Sequence, residues 1–406
     1  MSDRPNLEVA DVIRAHGAAF LTAHGATLTG AQRRALADLA VCRTAALGGH
    51  VERCADCGAE RVAYNSCRNR HCPKCQASQR AAWLDRESSY LLPVEYHHVV
   101  FTLPPAVAAL ALANPRVLYG LLFQAAWETL RQVAADPRHL GAAVGALGVL
   151  HTWGQNLHHH PHVHWVVTGG GLSCDAAGMV EAQPRWVACR PGFFLPVRVL
   201  SRVFRGKFLA GLQAAQAAGR LRLEGTCAVL RTAEGFAAWL APLYQQDWVV
   251  YSKPPFGGPG QVLKYLARYT HRVALSNRRL VALSDGAVTF TYKDYARGGQ
   301  ERRLTLPAEE FLRRFVQHVL PRGFVKVRHY GLLANRDRAA RLEQARALLG
   351  PAALAVVAAL VLLGVAGGAE SPAEAAAACC PVCGGTRLER QRLVPAVAGR
   401  AVADTS

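Results

Sequence analysis

Acidic residues are scarce in this chain of 406: 28 Asp and Glu stand against 47 Lys and Arg, a surplus of +19. With a pI near 9.9, that balance disfavours basic partners and makes a polyanion the expected one. No GxxxxGK segment followed by Ser or Thr occurs, so the chain carries no motor built on that phosphate loop. A glycine fingerprint between strand and helix is missing too, as is a regular βαβ period, which argues against the doubly wound nucleotide-binding folds. There is no repeat of fixed period. The first 30 residues hold Asp3, Glu8, Asp11 and Arg14 and no long apolar core, unlike an export signal. One uncharged run, Ala347 to Ala369, has the length of a membrane span. It is mostly Ala, Val and Gly with Pro351 near its start, and its weak transfer free energy favours an Ala-rich helix over a span. The expectation is a cytoplasmic, nucleoid-associated protein with no membrane contact.

Cysteine, by contrast, is plentiful. Twelve cysteines in a chain without an export signal point to a reducing compartment, where grouped thiols hold metal rather than pair. Cys54-x-x-Cys57 and Cys72-x-x-Cys75 form two knuckles separated by 14 residues, close to the spacing of a four-cysteine zinc site. Cys42, His50, Cys67 and His71 add four ligand types to the same stretch, enough for a second tetrahedral site. Two Zn²⁺ ions, or one with residues to spare, are both open. Arg43, Arg53, Arg61, Arg68, Arg70 and Lys74 interleave these ligands, so a zinc-stapled scaffold would present cations to phosphates. A further knuckle, Cys380-Pro381-Val382-Cys383, supplies too few ligands alone. It would complete a site with distant residues, bridge two chains, or be degenerate.

The periodicity predicts an opening helix carrying Val9, Val12, Ile13, Phe20 and Leu21. A second, over 30–41, starts from a Thr29/Gln32 capping box. Helices are expected over 76–90, 114–135, 197–218, 261–271 and 307–318. Strands are expected over 94–103, 143–153, 162–168, 246–251, 279–284 and 287–293, the first stopped by Pro104-Pro105 and the third closed by Gly169-Gly170-Gly171. Interspersed elements of this kind make an α+β fold with a mostly antiparallel sheet flanked by helices.

Two short runs carry chemistry. In HHHPHVHWVVTGGG, strand alternation puts His162 and His164 on one face, where two imidazoles converge on one divalent ion, while Val163 enters the core. His158, His159 and His160 read as turn residues or phosphate contacts. In KYLARYTHR, Tyr265 and Tyr269 are i and i+4, so both phenols leave one helix face among Lys264, Arg268 and Arg272. An aromatic pair at that spacing is commonly core packing; the cations and the preceding Pro/Gly loop favour a site open to solvent. Arg198, Arg202 and Arg205 cluster on another helix and are candidate phosphate contacts, or simply its solvated face.

Taken with LGGHVERCADCG, YNSCRNRHCPKCQ, HHVVFTLP, YLARYTHRVALSN, VTFTYKDY and LPRGFVKVRHYGLLAN, these runs resemble the two-tyrosine HUH-superfamily transposases of the rolling-circle IS91 group, from about residue 42 to 335. The resemblance implies a metal-dependent tyrosine DNA endonuclease and strand transferase of HUH-like fold. Its catalytic nucleophiles would be Tyr265 and Tyr269. Its Mg²⁺ or Mn²⁺ would sit on His162 and His164, with Gln155 as third ligand and His271 as competitor. It also implies single-stranded or hairpin DNA at element ends, and target DNA, as substrates, with strand opening left to a host helicase or replication machinery. Domains are expected at 1–90 (helical and zinc-binding), 91–335 (catalytic) and 336–406 (Ala-rich tail with its knuckle). Arg68, Arg70, Lys74, Arg198, Arg202, Arg268 and Arg272 are the expected DNA contacts. A plasmid relaxase or replication initiator would share this chemistry, and a non-catalytic zinc DNA-binding protein would need the cysteines and charge but not the tyrosines. A nuclease using water would cut without a covalent adduct.

Overall fold

The computed structural model describes residues 7–75, 83, 86–253, 273–350 and 379–395. They form helices α1 (Val9–His24) and α2 (Gly30–Ala40), strands β1 (Gly49–Cys54), β2 (Glu60–Tyr64) and β3 (Tyr96–Thr102), and helices α3 (Ala108–Ala113) and α4 (Pro115–Ala135). Next come β4 (Ala142–Trp153), β5 (His159–Ser173), β6 (Trp186–Ala188), α5 (Val197–Ala217), α6 (Ala233–Gln245), β7 (Val250–Lys253), β8 (Leu280–Ser284), β9 (Ala287–Asp294) and β10 (Gln300–Pro307). α7 (Ala308–Val316), β11 (Val327–Gly331), α8 (Arg338–Leu349) and β12 (Leu388–Leu393) complete the order. The fold is α+β, as the element pattern indicates. The expected helix over 76–90 lies largely outside the described residues. The one over 261–271 and most of the Ala347–Ala369 run lie outside them as well.

A six-stranded antiparallel sheet, ordered β11-β4-β5-β3-β7 with β6 on β5, is the centre of the molecule. Period-two alternation gives it two unlike faces. Val99, Phe101, Val163, Trp165 and Val167 point to one side, where they pack with Leu122, Phe123 and Leu130 of α4 and Phe204 and Phe208 of α5. The other side carries His98, His151, His162 and His164. Helix α5 is amphipathic for this reason: Leu200, Phe204, Phe208 and Leu212 are buried while Arg198 and Arg202 face solvent.

The triple glycine expected to end β5 does not end it; the strand continues to Ser173. A Cβ on Gly171 would lie 2.1 Å from the Ala143 carbonyl oxygen, and one on Gly169 would lie 2.8 Å from that of Glu95. These glycines admit neighbouring backbones rather than break the strand.

Two smaller sheets surround the first. One, β10-β9-β8, shares a core with α1, α2 and α7 through Val12, Phe20, Leu36, Phe290, Phe311 and Phe315. The helices that open the chain therefore pack against residues beyond 280. Thr29 caps α2 in the expected box with Gln32. The other sheet is ordered β12-β1-β2, so a strand from the expected tail pairs with the N-terminal cysteine module. β7 starts at Val250, later than its expected position. Nothing in the sequence pattern predicts α3, α6, α8, β1, β2, β6, β10, β11 or β12. Among the described residues no helix is long and apolar enough to cross a membrane.

Candidate functional site

β4 and β5 are a long hairpin whose turn is closed by Gly154 N–H donating to the His158 carbonyl, 2.9 Å. Leu157 sits in that turn at φ 63°, an unfavourable conformation for a branched side chain. It is held there because Leu157 is wholly buried against Leu275, Phe311 and their neighbours. The hairpin register sets His151 directly opposite His162 and Val149 opposite His164. Three imidazoles, His151, His162 and His164, therefore offer nitrogens all within 4.8 Å of one another. Three neutral imidazoles at this spacing are a fitting donor set for one divalent cation.

A second layer orients them. His162 Nδ1 donates to the His160 carbonyl at 2.7 Å, which places the lone pair of that tautomer on Nε2. His98 Nε2 meets His164 Nδ1 at 2.9 Å, and the two rings stack with centroids 5.1 Å apart. Burial foremost, then the nearby Lys253 and His162, pushes His98 down to about 3, so it meets His164 as a neutral ring. Trp153 stacks on His151 at 4.6 Å.

The strand alternation expected for His162 and His164 is thus observed, and the third imidazole comes from His151, which the sequence reading passed over. A histidine on the adjacent strand at the hairpin's mirror position was its only signal. Gln155, expected as third ligand, lies in the turn beyond the strand ends, where its backbone carbonyl accepts from Arg279. Of the three expected turn histidines, His158 remains in the turn, whereas His159 and His160 open β5. His159 bonds the Tyr119 hydroxyl at 2.8 Å. Tyr265, Tyr269, Arg268, Arg272 and the competing His271 lie outside the described residues. The ends of that segment, however, are placed. Lys253 pairs with His98 at the end of β7, and Val273 and Ala274 line a small cavity with Trp153, His318 and Lys326.

The cysteines group differently from the expected pairing of neighbouring knuckles. Cys42, Cys67, Cys72 and Cys75 form one cluster, and Cys54 and Cys57 join Cys380 and Cys383 in another. In the first, sulfurs are 3.4 Å (Cys42–Cys75), 3.5 Å (Cys42–Cys72) and 3.6 Å (Cys67–Cys75) apart. A zinc tetrahedron with bonds of about 2.3 Å has edges of about 3.8 Å, so these residues fit the ion. The β1–β2 hairpin explains the regrouping: it carries Cys54 and Cys57 onto the three-stranded sheet, while the chain after β2 turns Cys67, Cys72 and Cys75 back against the N-terminal helices. His50 and His71 belong to neither cluster. His50 faces Glu52 at 3.4 Å, and His71 Nε2 accepts the Leu320 N–H at 3.3 Å; burial holds His71 well below its ordinary value.

Three of the candidate phosphate contacts are used internally. Arg70 donates to the carbonyls of Phe324 (2.6 Å) and Pro321 (2.9 Å). Lys74 pairs with Glu8 and donates to the Cys42 carbonyl. Arg205 donates to the Gln246 carbonyl. Arg198 and Arg202 are exposed.

Two family models match this chain. Residues 145–341 match one described as "Putative transposase", and residues 12–103 match the transposase zinc-binding domain of the IS91 type. "Putative transposase y4qJ" of Sinorhizobium fredii is 54% identical over 347 residues, 86% of this chain and 85% of that protein. The transposase for insertion sequence element IS801 of Pseudomonas savastanoi pv. phaseolicola is 29% identical over 306 residues, 73% of this chain and 68% of that protein. No solved structure matches. With a match to the transposase zinc-binding domain, a match to the transposase model over residues 145–341 and relatives aligned over most of its length, the chain belongs to the IS91-type transposases.

Proposed function

We propose that this transposase cuts and rejoins single-stranded DNA through a 5′-phosphotyrosine, in rolling-circle fashion. The observation that carries the reading is the imidazole trio on β4 and β5, with the described residues on either side of the Tyr265/Tyr269 segment near it. Lys253 adjoins His98, and Ala274 adjoins Trp153. His151, His162 and His164 would hold Mg²⁺ or Mn²⁺, which supplies Lewis acidity at the scissile phosphate. The phenol oxygen of Tyr265 or Tyr269 attacks phosphorus, the bond to the 3′ oxygen breaks, and that oxygen leaves as a 3′ hydroxyl. Attack by a 3′ hydroxyl on the phosphotyrosine reverses the step, so joining needs no ATP. Two tyrosines allow donor and target strands to be held in turn. His98, through His164, and the His160 carbonyl, through His162, keep the two ring planes fixed. Arg198 and Arg202, with Arg268 and Arg272, are the proposed phosphate contacts, and strand opening is left to a host helicase.

The test is incubation of the purified chain with a labelled single-stranded element end and Mn²⁺, without ATP. A covalent protein–DNA adduct is expected. Its absence in wild type, or its persistence in the Tyr265→Phe, Tyr269→Phe double variant, defeats the reading.

A further inference from the structure

The second cysteine cluster joins residues more than 300 positions apart. Cys54 Sγ lies 3.6 Å from Cys383 Sγ, and Cys57 Sγ lies 3.6 Å from Cys380 Sγ, separations of 329 and 323 residues. Sulfurs at this distance are far beyond a disulfide bond of about 2.05 Å and close to the edge of a zinc tetrathiolate, about 3.8 Å.

The backbone around the four is built twice to one plan. In the first knuckle, Cys54 N–H donates to the Ala59 carbonyl and Gly58 N–H donates back to the Cys54 carbonyl, both at 2.9 Å. In the second, Cys380 N–H donates to the Gly385 carbonyl at 2.7 Å and Gly384 N–H to the Cys380 carbonyl at 2.8 Å. Gly58 and Gly384, each following the second cysteine, have the same φ of 73°, a region open to glycine at little cost. In the C-terminal knuckle, Val382 N–H and Gly385 N–H point at the Cys380 and Cys383 sulfurs, 3.4 Å each. Amides aimed at sulfur stabilise thiolate, the form that binds metal.

The surrounding contacts hold the two knuckles in register. β12 pairs with β1 from Gly49↔Leu393 to Cys54↔Leu388. Ala55 N–H donates to the Arg387 carbonyl at 2.9 Å, and Arg387 Nε to Asp56 at 2.8 Å. The nearly fully buried Glu52 accepts from Arg390 at 2.8 Å and pairs with Arg61, linking all three strands.

We propose that Cys54, Cys57, Cys380 and Cys383 form a second structural Zn²⁺ site, distinct from the Cys42 site, that fastens the C-terminal strand to the N-terminal module. Neither matched family region reaches Cys380 or Cys383. The site stands independently of the tyrosine chemistry.

Zinc released by a mercurial reagent is to be counted in the full chain after a mild chelator has stripped histidine-held ions. Two equivalents are expected for wild type, and one for Cys380→Ser, Cys383→Ser and for Cys54→Ser, Cys57→Ser. One equivalent in wild type, or two in the Cys380→Ser, Cys383→Ser variant, overturns the site. Should either variant fail to fold, a second measurement decides: a protease sequence is inserted between residues 350 and 379 of the otherwise wild-type chain, which is then cut. The C-terminal fragment should co-elute with the body in zinc and separate after strong chelation. Separation in both conditions, or retention in both, overturns the proposal.

Discussion

The two faces of the central sheet are made by the same strands yet do opposite work. On one, Trp165 stacks near Trp127 and Tyr330 and meets Phe123 edge-on, a dry layer between sheet and helices. On the other, one residue along each strand, polar rings are brought together at short range. On the proposed reading, period two separates stability from chemistry, so a change on one face should register in a different observable from a change on the other.

The comparison breaks most visibly at Trp165. Trp165→Ala should cost about 3–5 kcal/mol of unfolding free energy, read from urea denaturation, while any folded fraction keeps its affinity for Mn²⁺. His151→Ala is the converse: Mn²⁺ affinity measured by calorimetry should fall about 100-fold or more, with a smaller shift of the urea midpoint than Trp165→Ala gives. An equal loss of stability in both variants would show that the faces are not separable. His98→Phe keeps a stacked ring but removes the bond to His164, and should weaken Mn²⁺ binding about tenfold.

The smallest effect is on pH. Burial pushes His318 down to about 4, and its Nε2–H donates to the Leu157 carbonyl while Nδ1 accepts from Thr152. A ring kept neutral in the fold and protonated in the unfolded chain lends stability that is complete above about pH 6.5 and lost as pH falls towards 4. His97, pushed by burial to about 4, and His159, pushed by burial first to about 3, act in the same direction. Melting temperature should drop between pH 6.5 and 4.5, and His318→Gln should flatten that limb by about 1 kcal/mol. A limb of unchanged steepness in the variant would count against His318.

Strands of the central sheet were readable because 94–103 is rich in β-branched and aromatic residues and 162–168 alternates, and α4 and α5 because their apolar stripes are continuous. Strand β10, QERRLTLP, was missed because its first half is charged and exposed and only Leu304 and Leu306 turn to a core, too short an apolar side to impose a pattern. The His162/His164 face followed from alternation alone. His151 did not, because its place depends on which residue of β4 opposes His162, a register that composition does not encode. The cysteine partners were misjudged for the same reason: nearness in sequence suggested 54/57 with 72/75, whereas a strand from the other end of the chain supplied the closer thiols.

The pairing of β1 with β12 also bears on synthesis. At roughly 5–20 residues per second, Leu388 leaves the ribosome some tens of seconds after its ladder partner Cys54. Throughout that interval the nascent β1–β2 hairpin presents an open edge and only Cys54 and Cys57 of the four-cysteine cluster, a natural foothold for a chaperone or for a neighbouring nascent chain.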